Sequence, residues 1–172
     1  SYAVKKLDCN CGIVLTASHN PPEYNGYKIY WKDGGQIIYP HDSQIASNIN
    51  NLDYDDINFN ANEKLIDIID NEIDIKFCRE SIINGKIGNG ERNKIKVVFT
   101  PIHGTSIITI PSVFRDSGYK NFEIVEEQSI PDGNFPTVIS PNPEETEALS
   151  MALNKANKID ADIVIGTDPD SD

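Results

Sequence analysis

Three carboxylates stand at alternate positions directly after a short apolar run, as Asp168, Asp170 and Asp172. Pro169 between them prevents the segment from continuing as a helix. In a semi-extended loop alternate side chains face the same way. Three converging carboxylates repel one another unless a cation lies among them, and a set of oxygen ligands suits Mg²⁺. The spacing therefore predicts a magnesium site, with a solvated acidic turn as the alternative.

A second polar loop, residues 16–22 (TASHNPP), also follows an apolar run. It presents the hydroxyl of Ser18 next to the imidazole of His19, and two prolines fix its exit. A serine held at a strand end could carry a covalent group. Alternatively, Ser18 and Asn20 only hydrogen-bond the turn and His19 is a surface residue. A serine hydrolase is weakly supported because the GxSxG pattern is absent.

The two loops together indicate phosphoryl chemistry. A metal held by the acidic loop, residues 168–172, would activate a phosphoryl group carried on the serine. Two other interpretations stay open. One is a phosphatase of the haloacid dehalogenase type, in which Asp168 is the nucleophile and Ser18 is incidental. The other is a non-catalytic module that binds a divalent metal. An EF-hand fits poorly, because its loop needs a glycine at the sixth position and a glutamate at the twelfth.

The apolar pattern predicts the strands and helices that deliver these loops. The predicted strands are 12–16, 94–100, 122–125 and 163–166, with a hairpin of 27–31 and 36–39; the predicted helices are 63–83, 107–117 and 144–157. Strands separated by helix-length segments predict an α/β fold with mixed, largely parallel sheets covered by helices. The polar tract 48–62 predicts a boundary between a first domain, 1–60, and a second, 61–172.

Composition narrows the possible partners and location. The 172 residues carry a net charge of −12, which argues against binding to nucleic acid. No apolar run is long enough for a membrane span, and no signal peptide is recognisable. Cys9, Cys11 and Cys78 form neither a disulfide set nor a zinc pattern, so we interpret them as reduced thiols of a cytoplasmic protein.

Several motifs occur in a characteristic order: TASHNPPEYNGYKIYW followed by DGGQI, then TPIHGT, FPTVISPNPEE and the closing DPDSD. Together they resemble the α-phosphohexomutase family, which includes phosphoglucomutases, phosphomannomutases and phosphopentomutases. FPTVISPNPEE is most similar to the phosphoglucomutase and phosphopentomutase branch. The resemblance covers nearly the whole chain. It implies the latter part of the first domain and the front of the second domain of a four-domain enzyme.

The resemblance implies a phosphosugar mutase. Ser18 would be phosphorylated, would donate its phosphoryl group to a sugar monophosphate and would recover another from a hexose bisphosphate, which is both intermediate and activator. The group would thus move between the 1- and 6-positions of a hexose phosphate, or the 1- and 5-positions of a pentose phosphate. One Mg²⁺ ion would be held by Asp168, Asp170, Asp172 and the phosphoserine.

Three further residues acquire expected roles from the same resemblance. His19 and Lys28 would assist proton transfer, and His103, in TPIHGT, would face the substrate. Domains three and four would complete the site. We therefore expect the isolated chain to bind Mg²⁺ weakly and to turn over little substrate.

Overall fold

The computed structural model describes residues 1–85, 88 and 90–172. They form two compact units, one of Ser1–Val14 and Lys28–Ile73, the other of Leu15–Tyr27 and Asp74–Asp172. The helices are α1 (Tyr2–Lys6), α2 (His41–Asn50), α3 (Glu72–Asn84), α4 (Ile110–Asp116) and α5 (Ser150–Ile159); the strands are β1 (Cys11–Leu15), β2 (Tyr27–Trp31), β3 (Lys96–Thr100), β4 (Asn121–Ile124) and β5 (Ile163–Gly166). The domain boundary at residue 60 stays a prediction. No helix within these described residues is both long enough and apolar enough to cross a membrane.

The first unit contains a two-stranded sheet in which β1 and β2 are neighbours. Both strands lie within one residue of their predicted positions. The predicted return strand 36–39 forms only in part: Gln36 makes an antiparallel bridge with Tyr30, and the N–H of Ile37 donates to the carbonyl of Ile29 at 3.0 Å, but no named strand forms there. Pro40 has no N–H with which to extend a ladder, and the chain turns there into α2.

The predicted helix over 63–83 is half wrong, because α3 begins only at Glu72. Residues 63–65 make a single short turn, and Leu65 is 82% exposed. An apolar stripe without a surface to pack against gives a helix little stability. The carboxylate of Asp70 accepts the N–H of Glu72 at 2.9 Å, so the helix begins where a polar side chain satisfies its first donor.

The second unit is built around a three-stranded sheet in the order β4-β3-β5. Both pairings are parallel, as predicted, with Phe99 opposite Ile124 on one side and Ile165 on the other. The three strand predictions hold to within two residues. The central position of β3 explains why its apolar side chains are fully buried.

Helices cover both faces of this sheet. Val98 packs with Ala152 and Ala156 of α5. The next side chain along β3, Phe99, points the opposite way and stacks on Phe122, which in turn stacks on Phe114 of α4 at a centroid distance of 4.7 Å. The α/β class with helices on both faces is confirmed.

Two helix starts differ from prediction. The predicted helix 107–117 begins as a short turn and becomes α4 at Ile110. The predicted helix 144–157 begins later, at Ser150. The preceding glutamates hold the loop before them instead: Glu145 accepts the hydroxyl of Ser140 at 3.0 Å, and Glu147 accepts the N–H of Ile139 at 3.3 Å. Such local side-chain bonds compete with helix formation.

Candidate active site

The serine loop, residues 16–26, belongs to the second unit and is closed at its base by the bond from the N–H of Thr16 to the carbonyl of Gly26 at 3.0 Å. A Cβ at position 26 would lie 2.7 Å from the backbone oxygen of Thr16, so glycine is required there. Ser18 has a left-handed backbone (φ 54°), which is uncommon for serine. Its N–H donates to Oγ1 of Thr16 at 2.9 Å, which stabilises this conformation.

The acidic loop folds back on itself. The N–H of Asp168 donates to the carbonyl of Asp172 at 3.1 Å, and the N–H of Asp172 donates to Oδ1 of Asp168 at 2.8 Å. The N–H of Ser171, which is also left-handed (φ 78°), donates to the carbonyl of Asp168 at 3.0 Å. These bonds hold the carboxylate of Asp168 in place, with only 3% of the residue exposed.

The loop after β3 packs directly under the acidic loop. Thr105 donates twice to the carbonyl of Pro169, through its N–H at 3.0 Å and its hydroxyl at 3.1 Å. A Cβ at Gly104 would lie 2.6 Å from Cα of Pro169 and 2.9 Å from the carbonyl oxygen of Asp168. The missing side chain of Gly104 therefore permits the close approach of two backbones.

The serine and acidic loops meet at Ser18. Its Oγ donates to Oδ2 of Asp168 at 2.6 Å and lies 3.4 Å from Oδ1 of Asp170. The hydroxyl of Thr16 donates to the other oxygen of Asp170, Oδ2, at 3.1 Å. Nδ1 of the exposed His19 ring lies 3.4 Å from Ser18 Oγ and 3.5 Å from Asp168 Oδ2. Four of the residues singled out from sequence thus come together, and Thr16 joins them.

His103 is buried, and both of its ring nitrogens are hydrogen-bonded inside the protein. Nδ1 is 3.0 Å from the carbonyl of Ile130, and Nε2 is 2.9 Å from Oγ1 of Thr137. A carbonyl can only accept, so Nδ1 carries a proton and donates to Ile130, while Nε2 shares a hydrogen bond with Oγ1 of Thr137. Thr137 also accepts from the buried Gln128, whose Oε1 accepts the hydroxyl of Thr100 at 2.6 Å. This chain of bonds anchors the loop that follows β4, and a substrate contact for His103 stays a prediction.

Lys28 and Asp172 are the other two residues predicted for this site. Lys28 lies half-buried on β2, and its part in proton transfer stays a prediction. Asp172 meets Asp168 through its backbone N–H and carbonyl, and the residue is exposed. Among residues 1–85, 88 and 90–172, no group of three or more His, Cys, Asp or Glu side chains is arranged to hold a metal.

The donor atoms around Ser18 nevertheless suit a hard cation. They are the carboxylate oxygens of Asp168 and Asp170 and the hydroxyl of Ser18, all oxygens on two loops that meet. A buried carboxylate such as Asp168 is costly unless it is paired or coordinates a metal. The oxygens of Asp168 and Asp170 are thus of the kind that Mg²⁺ prefers, and their binding of the ion stays a prediction.

Sequence reasoning missed Thr16, Gly104 and Gln128. A sequence signal for Thr16 was present, since the hydroxyl of a threonine in a turn often accepts the N–H of the residue two positions later, here Ser18. Gly104 and Gln128 act through contacts with distant segments. Their roles become visible only in the folded chain.

Comparison with known proteins identifies the family of the chain. The sequence model described as phosphoglucomutase/phosphomannomutase, alpha/beta/alpha domain II, matches residues 79–172, and the model for domain I of the same enzymes matches residues 1–56. The chain belongs to this family. The segment matched to domain I contains the serine loop, and the segment matched to domain II contains the acidic loop.

Curated relatives from staphylococci carry the name phosphoglucomutase. That of Staphylococcus saprophyticus is 38% identical over 178 residues and that of Staphylococcus haemolyticus 40% identical over 177, each covering 100% of this chain. The chain spans 32% of the length of each relative.

Solved structures show the same fold. A crystal structure from Thermus thermophilus aligns over 99% of this chain and 37% of its own, with a TM-score of 0.72 and 20% identity. The structure of a phosphoglucomutase/phosphomannomutase family protein from Burkholderia thailandensis aligns over 94% of this chain and 32% of its own chain, with a TM-score of 0.66 and 24% sequence identity.

Proposed function

We propose that this chain is part of a magnesium-dependent phosphosugar mutase in which Ser18 carries the phosphoryl group. The observation that supports the proposal best is the position of Ser18 Oγ, 2.6 Å from Oδ2 of the buried Asp168. Together with membership of the phosphoglucomutase/phosphomannomutase family, it favours two successive transfers. They interconvert the 1- and 6-phosphates of a hexose, or the 1- and 5-phosphates of a pentose.

In the first transfer the phosphorus–oxygen bond to Ser18 breaks, and a new bond forms to a hydroxyl of the sugar monophosphate. That hydroxyl loses its proton to a base, for which Lys28 is our candidate. Ser18 Oγ takes up a proton as the group leaves, and His19, whose Nδ1 lies 3.4 Å away, is our candidate donor. The resulting hexose bisphosphate then returns its other phosphoryl group to Ser18, and the leaving sugar oxygen takes back the proton from Lys28.

In the return transfer the hydroxyl of Ser18 must give up its proton. Its present hydrogen bond to Asp168 points that proton toward a carboxylate, and Nδ1 of His19 lies 3.4 Å away on the surface side. His19 is about half exposed, with 47% of its side chain accessible, so it can pass a proton to water. We assign His19 to this step.

Asp168 and Asp170, joined by Asp172 and an oxygen of the phosphoserine, would hold the Mg²⁺ ion. The bound ion would neutralise negative charge that develops on the transferred phosphoryl group. Domains beyond this chain would supply the remaining substrate contacts, in keeping with the share of the relatives that the chain spans.

The alternatives receive less support. In a phosphatase with Asp168 as nucleophile, an oxygen of Asp168 must reach phosphorus. Here Oδ1 accepts the N–H of Asp172 and Oδ2 accepts the hydroxyl of Ser18. A purely metal-binding module gives no reason for a left-handed serine at the metal ligands. The family match favours neither.

The deciding experiment is peptide-mapped mass spectrometry on protein from the complete gene after incubation with glucose 1,6-bisphosphate and Mg²⁺. We expect phosphate on Ser18. The Ser18→Ala protein should lose both the phosphate and mutase activity while it still binds Mn²⁺. Ser47→Ala, on the exposed face of α2, is the matched control.

Each other outcome points elsewhere. Phosphate on Asp168 would support the phosphatase. An unmodified protein that binds Mg²⁺ would support the metal-binding module and contradict the proposal.

A further inference from the structure

The side chain of Thr16 connects the two loops of the site. Its Oγ1 accepts the N–H of Ser18 at 2.9 Å and donates to Oδ2 of Asp170 at 3.1 Å. A hydroxyl has one proton and two lone pairs, so both bonds can form at once. Thr16 and Asp170 are 154 positions apart in sequence, so the second bond is a tertiary contact.

Each bond fixes one feature of the site. The bond to Ser18 stabilises a left-handed backbone (φ 54°) that a serine rarely adopts. The bond to Asp170 occupies Oδ2 and leaves Oδ1 of the same carboxylate 3.4 Å from Ser18 Oγ. Because the same oxygen atom makes both bonds, the direction of the serine and the rotation of the carboxylate are coupled.

The backbone of Thr16 is itself held in place. Its N–H donates to the carbonyl of Gly26 at 3.0 Å, at the base of the serine loop, and its side chain is half-buried. A short threonine side chain has a single χ angle, so a fixed backbone restricts where the hydroxyl can lie. The hydroxyl is therefore pre-positioned for both partners.

We propose that Thr16 is a positioning residue that aligns Ser18 with the metal-binding carboxylate of Asp170. The inference rests on the proposed function for the presence of the metal and the phosphoserine. Thr16 touches neither reacting oxygen; it acts through the orientation of Asp170 and Ser18. Groups that orient metal ligands commonly change affinity or activity by roughly 10- to 100-fold when removed.

The test uses the full-length gene product with Thr16→Val, which removes the hydroxyl and keeps the branched shape, and Thr16→Ser, which keeps the hydroxyl. Free Mn²⁺ is counted by electron paramagnetic resonance during titration, and the rate of Ser18 phosphorylation by glucose 1,6-bisphosphate is followed by mass spectrometry. We expect Thr16→Val to weaken Mn²⁺ binding and to slow phosphorylation by roughly 10-fold or more. Thr16→Ser should restore both values.

The matched control is Thr146→Val, the same chemical change at an exposed position. Thermal unfolding establishes that each variant is folded, and Thr16→Ala replaces Thr16→Val if the latter is not. Unchanged Mn²⁺ affinity and phosphorylation in a folded Thr16→Val protein would overturn the inference. So would a Thr16→Ser protein as impaired as Thr16→Val, since shape rather than the hydroxyl would then matter.

The two proposals fail in different ways. If the wild-type protein takes no phosphate on Ser18, but Thr16→Val still weakens Mn²⁺ binding and Thr16→Ser restores it, the positioning role stands and the mutase proposal fails. If the wild type is phosphorylated on Ser18 and Thr16→Val behaves identically, only the positioning role fails.

Discussion

Ser18 Oγ donates a hydrogen bond of 2.6 Å to Oδ2 of Asp168, a residue 150 positions away in the sequence. Each residue lies just beyond the carboxyl end of a strand, β1 for the serine and β5 for the aspartate. The acceptor is buried and held from its other oxygen by the N–H of Asp172. The serine hydroxyl therefore has a defined direction in the folded chain, which is the pre-organisation that the proposed phosphoryl transfer requires.

Asp168→Asn should abolish most of the activity of the full-length protein. The change keeps the shape of the side chain but removes the negative charge that would attract the proposed metal ion. We expect phosphorylation of Ser18 to fall on the order of 100- to 1,000-fold, the scale of losing one electrostatic contact to a transition state. Asp160→Asn, at the exposed end of α5, should have no effect. Equal phosphorylation rates in the two variants, measured by mass spectrometry, would exclude Asp168 from the site.

Much of the fold follows from local sequence pattern. The run that forms β5 (Ile163–Gly166) is found at its predicted position, because a short stretch of branched apolar residues is typical of a strand in a parallel sheet. The first part of the helix predicted from residue 63 does not form. Apolar residues at helical spacing stabilise a helix only where a surface exists for them to pack against, and Leu65 and Ile66 are both exposed.

The candidate site could be predicted in part. The strand-end positions of Ser18 and Asp168 indicate a shared site. The position of Asp172 could not be foreseen, because alternation assumes an extended loop. The left-handed backbone of Ser171 turns the chain so that Asp172 returns to Asp168 through its backbone. Tertiary supports such as Gly104 carry no local signal at all.

Gly104→Ala should displace the acidic loop. The new Cβ would lie within 3 Å of three backbone atoms, belonging to Pro101, Asp168 and Pro169, and backbone cannot move aside as a side chain can. We expect the free energy of unfolding to fall by about 1 to 3 kcal/mol, as for overpacking elsewhere, and Mn²⁺ affinity to fall with it. Urea unfolding and Mn²⁺ titration measure the two effects.

Gly133→Ala is the control for this change, since a Cβ there meets no atom within 4 Å. It should leave both the free energy of unfolding and the Mn²⁺ affinity close to the wild-type values. An equally stable Gly104→Ala protein with unaltered Mn²⁺ affinity would show that the acidic loop does not depend on this close approach.

Gln128→Met should destabilise the second unit without direct damage to the site. Gln128 is fully buried; it accepts the hydroxyl of Thr100 and donates to Oγ1 of Thr137, which in turn supports His103. Methionine fills similar space but leaves the Thr100 hydroxyl without its acceptor. We expect a loss of about 1 to 3 kcal/mol in the free energy of unfolding, measured in urea.

The control for Gln128→Met is Gln44→Met on the exposed side of α2. It makes the same chemical change where water can replace the lost bonds, so its free energy of unfolding should stay near that of the wild type. Similar values for the two variants would mean that the buried chain of hydrogen bonds contributes little to stability.

Cys78 should make the stability of the protein depend on pH in the alkaline range. The thiol lies on α3, 7% exposed, and burial raises its pKa above the ordinary value of 9.0, with the carboxylates of Asp74 and Asp116 adding to the effect. The native state therefore holds the thiol proton more tightly than the unfolded chain does. This contribution to stability is complete below the unfolded pKa and is lost as the pH rises through the native pKa.

Urea unfolding of the wild type and Cys78→Ala should give a constant difference in free energy of unfolding at about neutral pH, and this difference should shrink above about pH 9. A difference that stays constant through the alkaline range would show that the folded protein does not favour the protonated thiol.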